Sequence, residues 1–232
     1  MKIWLFAVLL VLWGNLLHPL IGGTAILPGG SWQFAVAGAA LVAVSLAAAR
    51  VLRLDAADLG LRRAGALRGV LIGAFAGAFI ATAAVAIMRY VAPAVVGQPV
   101  IYEPLSRIAT GDLTPHIAFF LPLGAVIPEE IAFRGTLLGG LLARDRVRTA
   151  VTASAIAFAL WHGTVAAFTV LNTTLPVALV IPAIAGALAV LFVGGVIMAS
   201  LRVTTGSLLT TIAAHWAFNA IVLVGLRYQR ID

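Results

Sequence analysis

The sequence predicts an all-α fold, a polytopic transmembrane helical bundle of about seven membrane segments. Three observations carry that reading. Of 232 residues, 62% are hydrophobic and only 10% are charged, against roughly 45–50% and about 25% in an ordinary soluble domain. The apolar residues gather into seven runs, 3–20, 32–49, 69–88, 116–142, 149–170, 176–199 and 205–226. Each is long enough, or nearly so, to cross about 30 Å of hydrocarbon at about 1.5 Å per residue. No period-two alternation runs through them, so their backbone bonding in lipid falls to helices rather than to a β-barrel. The same composition excludes a water-soluble globular domain, a disordered chain and a coiled coil.

The first run follows Lys2 and is read as a membrane helix, because no small-x-small cleavage site closes it and six more runs follow. Between the second and third runs, residues 50–68 carry Arg50, Arg53, Arg62, Arg63 and Arg68 against Asp55 and Asp58. Leucines are interspersed there, so a short interfacial helix and a plain charged connector both fit. Residues 143–148 carry Arg144, Arg146 and Arg148, and Arg202 marks a third turn. By the positive-inside rule these three connections are cytoplasmic. Residues 89–115, with Arg89 and Arg107 balanced by Glu103 and Asp112, and the neutral 171–175 turn then lie opposite. An odd number of crossings puts the N-terminus inside and the C-terminus outside, against which Arg227 and Arg230 argue mildly. Pro182 makes the sixth run the least secure. Gly73, Gly77, Gly139, Gly140, Gly186, Gly194 and Gly195 suit close helix contact. No tandem repeat or internal boundary divides the chain, so residues 1–232 read as one transmembrane domain.

The net charge of +7 comes almost wholly from arginine in the connections, which is membrane orientation rather than a nucleic-acid footprint. The chain contains no cysteine, which excludes disulfides, thiolate metal sites and cysteine nucleophiles.

Ionisable residues inside membrane segments are expensive and mark function by default. Few occur. Run four holds Glu129, Glu130 and Arg134, run five holds His162, and run seven holds His215 with Asn219. His18 and His116 stand beside prolines at segment ends and read as interfacial or capping residues. From Arg144 back to Glu129 is 15 residues, from Arg148 to His162 is 14, and from Arg202 to His215 is 13. All three sites therefore lie about 20–22 Å from the arginines at one membrane face, in one layer. Glu130 and Arg134 are four apart and face each other, a pair that makes a buried arginine tolerable. Glu129 points about 100° away, toward another partner. His215 and Asn219 also span one turn and can address one bound atom. Phe133 and Phe158 read as packing residues, and Trp161 and Trp216 flank the two histidines.

A carboxylate and an imidazole can polarise a water as a general base, and an imidazole N–H with an amide can stabilise an oxyanion. Glu129, His162 and His215 also compose a zinc set with a fourth position open for water. Other intramembrane hydrolase schemes lack residues. There is no H-E-x-x-H, no aspartate central in a run, one terminal lysine, and no G-x-S-x-G around Ser154, Ser200 or Ser207.

The three motifs, Glu129-Glu130-Ile131-Ala132-Phe133-Arg134, Phe158 through His162, and His215 through Asn219, resemble those of the CPBP family. This is the CAAX protease and bacteriocin-processing group that includes the Rce1-like prenyl-protein proteases. The resemblance covers about residues 116–226 and implies a CAAX-protease-like catalytic core there. It implies that Glu129 and His162 activate water, that His215 and Asn219 form the oxyanion site, and that Glu130 and Arg134 support them. It favours a metal-free glutamate mechanism with no cofactor, with zinc as the alternative.

The leading expectation is thus an intramembrane endopeptidase acting on a membrane-associated protein or peptide, lipidated or not, in contact with membrane lipid and not with nucleic acid. The alternatives are a catalytically silent bacteriocin-immunity or scaffold protein and a zinc-dependent intramembrane metalloprotease. A proton-coupled transporter ranks lower, because no second charged pair and no inverted repeat is evident. The Ala- and Arg-rich, compact chain suits a bacterial cytoplasmic (inner) membrane.

Overall fold

The computed structural model describes residues 2–20, 31–61, 65–106 and 108–228. Arg62, Arg63, Arg107 and Arg230, and the side chain of His18, lie outside the described residues. Eight helices account for most of the chain. They are α1 (Lys2–Leu20), α2 (Ser31–Leu52), α3 (Ala66–Val96), α4 (Gly111–Leu142), α5 (Val147–Trp161), α6 (Gly163–Leu171), α7 (Val177–Thr205) and α8 (Leu208–Arg227). Among the described residues, five helices are long and apolar enough to cross a membrane, or six if α5 and α6 form one span bent by 45°. Among the described residues the count of seven is not reached; the described part of α1, Lys2–Leu16, is a further apolar helix beside these. The architecture is all-α and polytopic, and its long apolar helices support an integral-membrane location in contact with lipid.

In lipid, apolar surface gives helices no reason to associate, so close approach and polar contacts must do it. The α3–α8 pair illustrates this. Gly69, Gly73 and Gly77 lie on one face of α3, four residues apart, and are buried. A Cβ at Gly69 would fall 2.6 Å from the Thr210 hydroxyl, and Cβ atoms at Gly73 and Gly77 would overlap the carbonyls of Thr210 and Ala214. The ladder brings the α8 backbone against α3 immediately before His215. Gly139, Gly140 and Gly195 also meet neighbouring elements, but Cβ atoms at Gly186 and Gly194 would meet nothing within 4 Å. Those two glycines of α7 are not packing contacts.

Helix α4 is the centre of the bundle, with half of its most hydropathic stretch buried. Its Phe133, Leu137, Leu138 and Leu141 are sealed by Ile3, Phe6 and Leu10 of α1 and by Phe158 and Trp161 of α5. It is not a regular α-helix. Residues His116–Phe120, Pro122–Val126 and Ile131–Leu137 form wider π-helical turns. Pro115, Pro122 and Pro128 recur along it, and each removes a backbone donor and crowds the preceding turn, which favours a widened ladder. Pro182 lies in the second turn of α7, which runs through it unbroken.

The connections gather at two ends. At one, the Arg202 guanidinium donates to the carbonyl of Asp58 (2.8 Å) and the Leu208 amide donates to that of Gly60 (2.9 Å). Gly60 has φ +76°, and a Cβ there would overlap the Arg202 guanidinium, so glycine suits this position on both counts. Residues 53–61 are therefore a run of turns rather than an interfacial helix. Arg202 is a buried joint between connections rather than a free surface charge. At the other end, Gln98 donates to the Thr174 carbonyl at 2.6 Å and the Glu103 amide to that of Asn172 at 3.0 Å.

Candidate functional site

Three helices deliver the polar residues singled out in the sequence. Glu129, Glu130 and Arg134 come from α4, His162 from the break between α5 and α6, and His215 and Asn219 from α8. They assemble as two acid–histidine contacts. Glu129 Oε2 lies 3.7 Å from His162 Nε2. Glu130 Oε1 lies 2.9 Å from His215 Nδ1 and also accepts from Arg134 Nη1 at 3.2 Å. Glu130 and Arg134 do pair along α4, but Glu130 has a second partner that helical spacing did not reveal. It ties α8 to α4 at the level of His215.

His162 is held by its other nitrogen. Nδ1 lies 2.8 Å from the Phe158 carbonyl, one turn earlier on α5. A carbonyl only accepts, so Nδ1 carries the hydrogen and Nε2 of the neutral ring is an acceptor. An acceptor nitrogen thus faces an acceptor carboxylate across 3.7 Å. That separation exceeds a direct hydrogen bond, and any donor between the two groups is drawn toward both.

Phe158 does more than pack. Its ring lies 4.5 Å from that of His162 and 6.2 Å from that of His215, and the Arg134 guanidinium carbon sits 4.1 Å from its centroid. Phe133 meets it edge-on at 5.2 Å. The aromatic faces accommodate a buried guanidinium that has one carboxylate contact, since Arg134 Nε and Nη2 find no hydrogen-bond partner among the described residues. The four-residue spacing of Phe158 and His162 is the sequence signal for the carbonyl contact. The arginine contact has no such signal.

Asn219 lies half-buried one turn beyond His215 on α8. Trp216, between them, donates from Nε1 to the Ile117 carbonyl at 3.0 Å. In the widened ladder of α4 that carbonyl would accept from residue 122, a proline without an N–H, so Trp216 takes up the acceptor the proline frees. Trp161 is buried against Phe133, at 5.5 Å between rings. His116 is buried in α4, away from the two acid–histidine contacts.

Among the described residues no group of three His, Asp or Glu side chains is disposed to hold a metal ion.

Residues 112–221 match the family model described as Type II CAAX prenyl endopeptidase Rce1-like. The match spans just under half of the chain and takes in all six residues above, leaving out α1, α2 and α3. No curated protein and no solved structure matches the chain. The helices and the family match together define a class: a polytopic membrane protein with a family-level link to the CAAX proteases and their intramembrane fold.

Proposed function

We propose that the protein is an intramembrane endopeptidase in which Glu129 and His162 activate water and His215 with Asn219 receives the oxyanion. The observation that carries this reading is the Glu129–His162 contact, two acceptors 3.7 Å apart with the histidine's other nitrogen tied to the Phe158 carbonyl. A water there donates one hydrogen to each group, which exposes an oxygen lone pair toward a substrate carbonyl. As that oxygen attacks, the proton passes to Glu129 or His162 and is later returned to the leaving amine. His215 donates Nδ1–H to Glu130, and with a proton also on Nε2 the ring donates to the oxyanion. Arg134 fixes the Glu130 carboxylate that holds the ring. Asn219 supplies the amide donor one turn away. No step requires a metal, and turnover is expected to survive exhaustive chelation. Loss of turnover restored by zinc would reinstate the metalloprotease alternative.

We assign residues 1–232 to one transmembrane domain with its catalytic core over about 116–226. The location is the bacterial inner membrane, with the connections 50–68, 143–148 and 202–204 in the cytoplasm. The substrate is a membrane-associated protein or peptide. The discriminating experiment compares membranes containing wild-type protein with membranes containing Glu129→Gln, by peptide-terminus proteomics. Fragments present only with wild type support the peptidase. Identical termini, with both proteins folded and equally abundant, favour the silent scaffold or immunity reading. Labelling of a Arg146→Cys side chain from outside intact cells would overturn the orientation.

A further inference from the structure

We propose that Asn15 of α1 is a positioning residue for His162, because its carboxamide is spliced into the helix break that carries the histidine. The inference rests on the reading of His162 as a catalytic residue.

In a continuous helix the Leu160 carbonyl would accept from the Thr164 amide, four residues on. Here Asn15 stands between them. Its Nδ2 donates to the Leu160 carbonyl at 2.8 Å, and its Oδ1 accepts from the Thr164 amide at 2.8 Å. The second Nδ2 hydrogen goes to the Val11 carbonyl at 2.8 Å, and the single Thr164 hydroxyl hydrogen is shared between Oδ1 at 2.9 Å and the Asn15 backbone carbonyl at 3.1 Å. Both donors of the carboxamide and at least one of its two acceptor sites are thus engaged by backbone groups. The direction of each bond fixes which atom is nitrogen and which is oxygen. An asparagine in an apolar helix serves commonly as glue between helices. This one replaces one particular backbone bond by two.

The consequence lies at His162. A side chain inserted into the helical ladder bends it, and α5 and α6 diverge by 45° at this point. His162 is the residue at the bend, with φ −88° and ψ 9°, and the regular pattern resumes when the Ala166 amide bonds its carbonyl at 2.7 Å. The bend therefore sets where the ring leaves the backbone, and the ring meets Glu129 at 3.7 Å. The neighbours are shaped for the wedge. A Cβ at Gly163 would fall 2.8 Å from Asn15 Oδ1, and one at Gly14 would overlap Trp161. Gly14-Asn15 on α1 and the 161–164 stretch thus interlock, although α1 lies outside the matched family region.

The test uses the full chain in detergent with ¹⁵N-histidine labelling. The His162 ring signals are assigned by their disappearance in His162→Gln. Asn15→Leu removes the bridge and is expected to shift the His162 signals while leaving those of His215 in place. Turnover of a cleavable peptide should fall, on the order of 10²-fold, with the Michaelis constant little changed. Asn15→Gln, which keeps the amide on a longer stem, should recover part of both. Thr136→Val removes a different interhelical bond, from the Thr136 hydroxyl to the Ser45 carbonyl at 3.2 Å. It should lower stability without moving the His162 signals, which separates positioning from glue. If Asn15→Leu does not fold, Asn15→Asp is read in the same way, since it keeps the acceptor for Thr164 and loses the donor to Leu160. Unmoved His162 signals, or moved signals with wild-type turnover, would overturn the inference. If wild type itself cleaves no peptide, the peptidase reading falls, and the ring signals still decide whether Asn15 sets His162.

Discussion

Helices α4 and α7 are of similar length, 32 and 29 residues, and both contain proline, yet they occupy opposite environments. Half of the most hydropathic stretch of α4 is buried and none of that of α7 is. Helix α7 is the more apolar of the two. In water the apolar helix would be the buried one. Lipid solvates apolar side chains as well as a protein interior does, so the less apolar helix goes inside, where its polar groups find partners. Hydropathy thus locates the membrane, and departures from it locate the chemistry. The same contrast appears in backbone form. Helix α7 is regular, whereas α4 is widened at three places, the last of which contains Arg134. Widened turns of this kind recur at functional sites.

The contrast makes substitutions on α4 and its partners costly and those on the unburied stretch of α7 cheap. The largest effect is expected for His162→Ala, which removes a proton acceptor and should lower turnover by up to about 10⁴-fold. Steady-state assay of folded variant checks it. Next, Arg134→Ala leaves the buried Glu130 carboxylate without its guanidinium partner and should cost roughly 3–5 kcal/mol of stability. A lower melting temperature in detergent is the readout, and an unchanged one would assign Arg134 to substrate or chemistry instead. Asn219→Ala should cost about 10²–10³ in turnover, roughly 2.7–4 kcal/mol. It should lower kcat more than it raises KM, as loss of an interaction made in the transition state requires.

A smaller effect is expected where packing alone is disturbed. Gly73→Ala places a methyl group against the Thr210 carbonyl, so α8 must move, at about 1–3 kcal/mol. Because His215 lies on the displaced helix, turnover should fall with stability. Gly186→Ala on α7 is the counterpart. Its Cβ meets nothing within 4 Å, and thermal stability should change by no more than about 0.5 kcal/mol or improve slightly. Equal costs for the two glycine substitutions would erase the distinction between packed and lipid-facing helix faces.

Much of this organisation is legible in the sequence because lipid makes polar residues conspicuous. The helical segments follow from run length, and Glu129, Glu130, Arg134, His162, His215 and Asn219 follow from their cost. What is not legible is which acid meets which histidine. Straight-helix spacing pairs Glu130 with Arg134 and leaves His215 with Asn219, whereas the structure joins His215 to Glu130. That contact depends on the approach of α8, which is set by glycines on α3 more than 130 residues away in sequence. Asn15 escapes for a related reason. A lone asparagine in an apolar run has no recognisable spacing, and its meaning lies in a backbone break on another helix.

The proposed chemistry stands or falls on the carboxylate of Glu129. Glu129→Gln preserves size and hydrogen-bonding capacity and removes only the proton-accepting group. The measurement is single-turnover hydrolysis of a defined peptide by purified, folded wild-type and Glu129→Gln proteins in proteoliposomes, with peptide binding measured in parallel. The expected result is retained binding with hydrolysis almost abolished. Hydrolysis by folded Glu129→Gln at a rate near wild type would contradict the glutamate-activated water mechanism.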